Sequence, residues 1–346
     1  MDKSVITVTG GTGYIASWIV SDLLQEGHKV RITVRNKSDF LKYQHLLDLE
    51  GKTEGELSVF EADLLSPGSF DAAVKGADYV MHTASPFFLD DGGDPQKNLV
   101  DPAVKGTKNV LEAVNRSASV KRVVLTSSIA AIYGDSREMN DRGLASLDET
   151  IWNESSSLKR NAYSYSKTEA EKAAWEMVKK QAEWDLVTIH PGFVLGPSQT
   201  KRIDSTSIGT LLRILRGEIK SGAPDLRFIF SDVRDISRGH ISAAFTESAN
   251  GRYIIANESG NLLSIGKVIE AAHMGAYKVP KNLVPKWLVW LIAPTIGFTR
   301  QFAKDNIGYP LAADNRRSIQ DLKLVYTPLK STILDHVEQL KSDGLI

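Results

Sequence analysis

The chain alternates short β-branched runs with longer segments of helical periodicity. Val5-Ile6-Thr7-Val8 is the first run, and apolar residues from Trp18-Ile19-Val20 to Leu23-Leu24 follow it at helical spacing. Residues 29–34 alternate polar and apolar, as a half-buried strand does. Further strands are predicted over 57–61, 78–83, 121–127 and 186–189. Between them, residues 98–117 place Val100, Ala103, Val104, Val110, Leu111 and Val114 on one helical face, and a second long helix is expected over 161–183. Strands alternating with helices predict an α/β fold built on a doubly wound parallel sheet. From about Gly196 the alternation weakens. Helices over 208–215 and 236–244, a turn-rich loop over 217–224 and a strand over 252–256 then give way to helices joined by loops. This part reads as a smaller C-terminal α/β region.

The turn after the first strand carries the first chemical signal. Thr9-Gly10-Gly11-Thr12-Gly13-Tyr14-Ile15-Ala16 joins strand to helix, and Gly11-x-Gly13-x-x-Ala16 matches the dinucleotide fingerprint of a Rossmann sheet. The first glycine is expected to make the tight turn. Gly13 lets the backbone approach a pyrophosphate, and Ala16 lets the helix pack close to the strand. Gly10, Gly13, Tyr14 and Ile15 are therefore cofactor-binding candidates at a positive helix end. About 20 residues on, an NAD site places a carboxylate on the ribose. This chain has Val34-Arg35-Asn36-Lys37-Ser38 there. An arginine fork binds a 2′-phosphate, which a carboxylate repels. The expected cofactor is NADP(H), with Arg35 the main contact and Asn36, Ser38 and Lys42 as helpers; a solvated charge cluster is the plainer alternative.

Ligands of such sheets bind at the carboxyl ends of the strands, and several candidates fall there. Asp63 and Leu64 follow the third strand; Asp63 suits the adenine amino group, or caps a helix starting at Ser66-Pro67. Thr83, Ala84 and Ser85 follow the fourth and allow close approach to a cofactor ribose. Phe87 and Phe88 are candidate walls of an apolar pocket. His82, within the strand, is expected to pack. The acidic loop 90–94 lacks EF-hand spacing and reads as a solvated turn, so no metal is expected. The fifth strand ends in Ser127 and Ser128. The 134–160 connection is long enough to be an active-site flap or rim. Asn161 is expected to cap the next helix with its own side chain. On that helix Tyr163 and Lys167 are four apart and share a face. A cation beside the phenol favours phenolate and lowers the tyrosine pKa, allowing proton exchange near neutrality.

Thr9-Gly10-x-x-Gly13-x-x-Ala16, Thr126-Ser127-Ser128, Tyr163-x-x-x-Lys167 and His190-Pro191-Gly192-Phe193-Val194-Leu195-Gly196-Pro197 together resemble the extended short-chain dehydrogenase/reductases. More narrowly, the chain is similar to the dihydroflavonol 4-reductase, cinnamoyl-CoA reductase and NADPH aldehyde reductase branch over residues 4–260. The resemblance implies hydride transfer from NADPH to the carbonyl of an aldehyde or ketone. It implies Tyr163 as general acid, Lys167 as the residue that lowers its pKa and holds the nicotinamide ribose, and Ser128, or else Ser127, as the carbonyl-polarising hydroxyl. Pro191, Gly192 and Val194 would orient the nicotinamide amide. Residues 1–195 are expected to form the NADP-binding part, with 225–260 partly returning to it and 196–346 mainly binding substrate. Cinnamoyl-CoA reductases carry Asn-Trp-Tyr-Cys-Tyr-Gly-Lys around the tyrosine. Ala162, Ser164 and Ser166 replace the Trp, Cys and Gly here, which argues against a CoA thioester. A nucleotide-sugar epimerase or dehydratase using NAD is the alternative on this fold, and a non-catalytic NADP-sensing regulator the second. Ile129-Ala130 after Ser128 disfavours a dehydratase acid, and Arg35 disfavours NAD.

Composition narrows the partners. Lys+Arg and Asp+Glu both number 42, and no basic stretch is interleaved with aromatics, so no nucleic acid is expected. The chain has no cysteine, which excludes disulfides and thiolate chemistry and fits a reducing cytoplasm. No charged segment leading into an apolar run precedes the first strand, so no signal peptide is expected. Residues 287–298 are the most apolar stretch, too short to span a bilayer. They read as a core or pocket-lining helix, with a membrane-surface helix as the alternative and no membrane partner expected. Trp287, Trp290 and Phe298 are expected mainly in core packing. The expected partner is a small apolar or aromatic carbonyl compound, bound by a monomer or homodimer.

Overall fold

The computed structural model describes residues 3–85 and 93–346. Phe87, Phe88 and residues 90–92 of the acidic loop lie outside them. Seven strands form the central sheet: β1 (Val5–Thr9), β2 (Lys29–Val34), β3 (Glu56–Glu61), β4 (Tyr79–His82), β5 (Arg122–Thr126), β6 (Asp185–Pro191) and β10 (Gly251–Ile255). Their spatial order is β10-β6-β5-β4-β1-β2-β3, and every pairing is parallel. Helices cover both faces, so the inner strands are buried along nearly their whole length. β1, β5 and β6 bury nearly every residue, as a parallel sheet covered on both sides requires. The chain reverses direction along the sheet between β1 and β4, which opens a crevice at the carboxyl edge.

The smaller elements lie beyond that edge. β7 (Phe193–Leu195), β9 (Phe228–Asp232) and β11 (Ser259–Gly260) form a three-stranded sheet, and β8 (Ala223–Pro224) pairs with β12 (Leu283–Val284). The Val233–Phe245 helix is fixed at both ends. Asp232 caps its start by accepting from Arg234 N at 2.8 Å. Arg122 of β5 donates to the carbonyls of Ala243 (2.8 Å) and Thr246 (2.6 Å) at its end, while its other edge pairs with Asp185. A cation on terminal helix carbonyls satisfies them and complements the helix dipole.

Four local expectations differ from the fold. Ser66-Pro67 starts no helix; the chain turns there and a short helix begins at Asp71. Asn109 holds that turn, donating to the carbonyls of Leu64 (3.1 Å) and Ser66 (2.6 Å) and accepting from Gly68 N (3.1 Å). Asn161 does not cap its helix with its side chain. It sits in the left-handed region at φ 55° and donates to Gly134 O at 3.0 Å. The 134–160 connection is a fastened segment instead of a flap. Buried Asp135 accepts from Arg160 Nη2 (2.6 Å) and Asn306 Nδ2 (2.5 Å), and Arg160 also reaches Asp305 (3.0 Å). The Lys286–Ile292 helix is no pocket wall, and it meets the core along one edge only. Only Val289 on it is buried, while Trp287 and Trp290 are exposed and Phe298 is half-buried against Phe302. Seven residues offer the core a single narrow stripe, and the aromatic rings fall outside it.

Candidate active site

The fingerprint turn is built by two glycines with different tasks. Gly10 makes the tight turn at φ +64°, where a side chain is strained, and a Cβ there would lie 3.1 Å from the Ala84 backbone. Gly11, the residue expected to turn, has ordinary φ. It is required because a Cβ would lie 2.5 Å from the Ile32 side chain. Gly13 then caps the Tyr14–Gln25 helix without a side-chain hydrogen bond, and the first turn holds no acid. The first-turn N–H groups are left for an anion. Tyr14 donates its hydroxyl to Gly196 O, tying this helix to the end of β7.

A cavity of about 440 Å³ opens beside that helix end. It is lined by Gly10, Gly13, Tyr14, Ile15, Thr83, Ser85, Ser127, Ser128, Tyr163, Lys167, Pro191, Gly192 and Val194. Residues named from five separate stretches of sequence therefore meet in one space. Lys167 is its only charged lining side chain among the described residues. Ala84 lies just behind, beneath Gly10. A second pocket of about 290 Å³ is lined by Thr12, Val34, Arg35, Asn36, Asp39, Lys42, Tyr43 and Arg202. Arg35 is exposed there, and Lys42 pairs with Asp39 at 2.8 Å. Ser38 is not part of the pocket; its N–H donates to Asn36 Oδ1 at 2.8 Å. Asp63 and Leu64 line neither pocket. Asp63 closes its own turn by accepting from Leu65 N at 2.7 Å, and Leu64 packs over Gly106.

The two serines have different settings. Ser127 is buried and donates to Glu171 Oε2 at 2.6 Å. Ser128 accepts from Ala130 N at 3.2 Å, and its hydroxyl proton is not drawn to a buried carboxylate. Glu171, one turn beyond Lys167, is itself 1% exposed and meets His190 Nε2 at 2.8 Å and Arg252 Nε at 2.9 Å. Burial alone raises a carboxyl pKa, but His190 and Arg252 overcome it and hold Glu171 well below the usual range. Its contacts join the ends of β5 and β6 to β10 under the cavity floor.

Lys167 Nζ donates to Ser85 Oγ at 2.6 Å and lies 5.6 Å from the centre of the Tyr163 ring. Desolvation pushes Lys167 down to about 8 and Tyr163 up to about 12. The phenol thus lies above its ordinary value, the reverse of the expected lowering. The surrounding protein penalises phenolate more than an ammonium committed to Ser85 favours it. His82 packs as expected: its Nδ1 lies 2.9 Å from Thr9 Oγ1, and burial, aided by Lys167, lowers it to about 3.

Several wall residues were not among the site candidates that the sequence offers. Ile129, Ala130, Tyr133, Phe193, Phe228, Ile229 and residues 205–207 complete the cavity, and Arg202 reaches the second pocket from the same loop as Ser205. These come from turns and strand ends without periodicity. Among the described residues no acidic or histidine cluster suits a metal, and no helix is long and apolar enough to cross a membrane.

A parallel sheet with this crevice, and a Ser–Tyr–Lys set in one cavity with an open helix end, define the class of extended short-chain dehydrogenase/reductases. The chain matches the NAD dependent epimerase/dehydratase family over residues 6–256 and belongs to it. It is 36% identical to cinnamoyl-CoA reductase CAD2 of Medicago truncatula over 340 residues, covering 98% of this chain and 96% of that one. It is 37% identical to an anthocyanidin reductase of Vitis vinifera over 292 residues, covering 81% and 84%. The structure of yeast methylglyoxal/isovaleraldehyde reductase Gre2 complexed with NADPH superposes with a TM-score of 0.78 at 28% identity, covering 99% of this chain and 100% of that one.

Proposed function

We propose that the protein is an NADPH-dependent reductase of small, neutral aldehydes or ketones. The observation that carries this reading is the meeting of Ser128, Tyr163 and Lys167 in one cavity with the fingerprint glycines. NADP(H) fits the cleft on its own chemistry. The glycine-capped helix end suits the pyrophosphate, and Arg35, Lys42 and Arg202 line a pocket suited to a 2′-phosphate. Lys167 and Ser85 would hold the nicotinamide ribose, with Pro191–Val194 beside the ring. When bound, NADPH supplies the hydride.

The chain's own residues handle the oxygen. Ser128 donates a hydrogen bond to the substrate carbonyl, stabilising charge as it develops there. Tyr163, with its pKa near 12, keeps its proton at neutral pH and gives it to that oxygen. The phenolate left behind is stabilised by the Lys167 cation. The bond that Ser127 gives to Glu171 favours Ser128 for this role.

The substrate class follows from the walls. Phe193, Phe228, Ile229 and Tyr133 are apolar or aromatic, and no cation other than Lys167 lines the space among the described residues. A CoA thioester brings phosphates that find no partner there, in keeping with Ala162, Ser164 and Ser166 beside the tyrosine. Initial rates with NADPH and NADH over a panel of aliphatic and aromatic aldehydes, ketones and CoA thioesters test this. Turnover of free carbonyls with NADPH is expected. Turnover of the thioesters alone contradicts the substrate class, and co-purified NAD with no reduction of any carbonyl contradicts the reductase reading.

A further inference from the structure

The Lys286–Ile292 helix and the turn after it present an apolar surface that the fold leaves uncovered. Trp287, Trp290 and Leu291 stand at i, i+3 and i+4, on one face, and are 68%, 43% and 52% exposed. Ile296, in the next turn, is 45% exposed. The other side of the helix packs Val289 and Ala293 against Ala303 and Ile307. The element is anchored along one side and bare along the other.

The stretch of chain that carries this face is rich in cations. Residues 271–304 contain Lys278, Lys281, Lys286, Arg300 and Lys304 and no Asp or Glu, in a protein of zero net charge. All five cations are exposed. Lys281 lies 4.0 Å from Glu270; the other four have no carboxylate within ion-pair distance among the described residues. Lys286, on the helix itself, has its Nζ 4.2 Å above the half-buried Tyr309 ring, and the Arg300 guanidinium lies 4.8 Å above exposed Trp290, so these two cations border the face.

We propose that this face docks the protein on an anionic lipid bilayer surface. Tryptophan rings partition to the headgroup level, where an apolar body and a polar edge are both satisfied. A short helix with aromatic and aliphatic residues on one face, bordered by lysine and arginine, lies in the interface plane instead of crossing it. Each cation near the surface adds attraction to acidic headgroups. The same charge pattern disfavours a second copy as the occupant. In a two-fold dimer the face meets itself, and unpaired cations oppose like cations.

Flotation of the purified full chain with vesicles tests the proposal. Vesicles of phosphatidylcholine alone are compared with vesicles containing about one-third phosphatidylserine, at low and at about 0.5 M salt. Wild type is expected to float with the anionic vesicles only and to be released by salt. Trp287→Ser with Leu291→Ser, and separately Lys286→Glu with Arg300→Glu, are each expected to lower the bound fraction about tenfold. All four positions are exposed, and an unchanged thermal midpoint verifies folding. Absence of flotation overturns the proposal, as does flotation that neither double variant weakens. Self-association abolished by the same variants, without vesicle binding, also overturns it and assigns the face to a second copy.

Discussion

Tyr163 and Lys167 show how one burial environment acts on two groups in opposite directions. It raises the phenol to about 12 and lowers the amine to about 8. The tyrosine therefore stays protonated through the physiological range, and the lysine sets the pH limit. Below about pH 8 Lys167 is an ammonium; above it the cation proposed to stabilise the phenolate is lost. The kcat/KM for carbonyl reduction is expected to be level up to that pH and to fall beyond it. A profile still rising through about pH 9 contradicts the assignment. The spacing of Tyr163 and Lys167 was legible because four residues make one helical turn. The direction of the tyrosine shift was not, because desolvation depends on what the rest of the chain packs around it. Glu171 was equally hidden, being one more acid in Lys167-Thr168-Glu169-Ala170-Glu171 until the fold surrounds it with His190, Arg252 and Ser127. Glu171→Gln leaves Arg252 unpaired and is expected to cost about 3–5 kcal/mol in urea unfolding. Because the folded-state pKa is depressed, this stability is present above the ordinary glutamate value of 4.5 and lost as pH falls below it toward the depressed value. The glutamine variant is expected to lose that part of the acid dependence.

At the scale of elements, the strands and the long helices were legible, and the connections were not. The sheet strands are β-branched runs with continuous apolar faces, and their bounds differ from expectation by a residue or two. Connections depend on partners distant in sequence. The 134–160 segment is polar by composition yet is pinned by Asp305 and Asn306. The Lys286–Ile292 helix is apolar by composition yet exposed, because a surface stretch of this length buries only the residues that meet Ala303 and Ile307. The fingerprint turn combines both cases. Its motif was evident, but which glycine turns and which yields space to Ile32 was fixed by the packing of β2. Gly11→Ala is expected to lower stability by about 1–3 kcal/mol, since Ile32 must move to admit the methyl group. The thermal midpoint reports the loss, and an unchanged midpoint contradicts the packing role.

Over the whole molecule, the cleft is assembled from both halves of the sheet and from the region beyond it. β1, β2, β4, β5 and β6 each contribute at the carboxyl edge, and the loop after β7 closes the cleft from outside. Arg202 on that loop donates to Thr12 O at 3.2 Å and pairs with Asp204, yet still faces the pocket of Arg35. A guanidinium has five N–H donors, so bonds remain for a phosphate. Arg202→Ala is expected to weaken NADPH binding about tenfold and leave NADH binding unchanged, as read by fluorescence titration. Equal losses for both cofactors contradict a 2′-phosphate contact. The proposed delivery of the proton by Tyr163 in carbonyl reduction stands or falls with Tyr163→Phe. The substitution keeps the ring and removes only the acid. Single-turnover reduction of an accepted aldehyde is expected to slow by about 10²–10⁴-fold, with the NADPH dissociation constant unchanged. Reduction at the wild-type rate by this variant, with NADPH still bound, rules out Tyr163 as the acid.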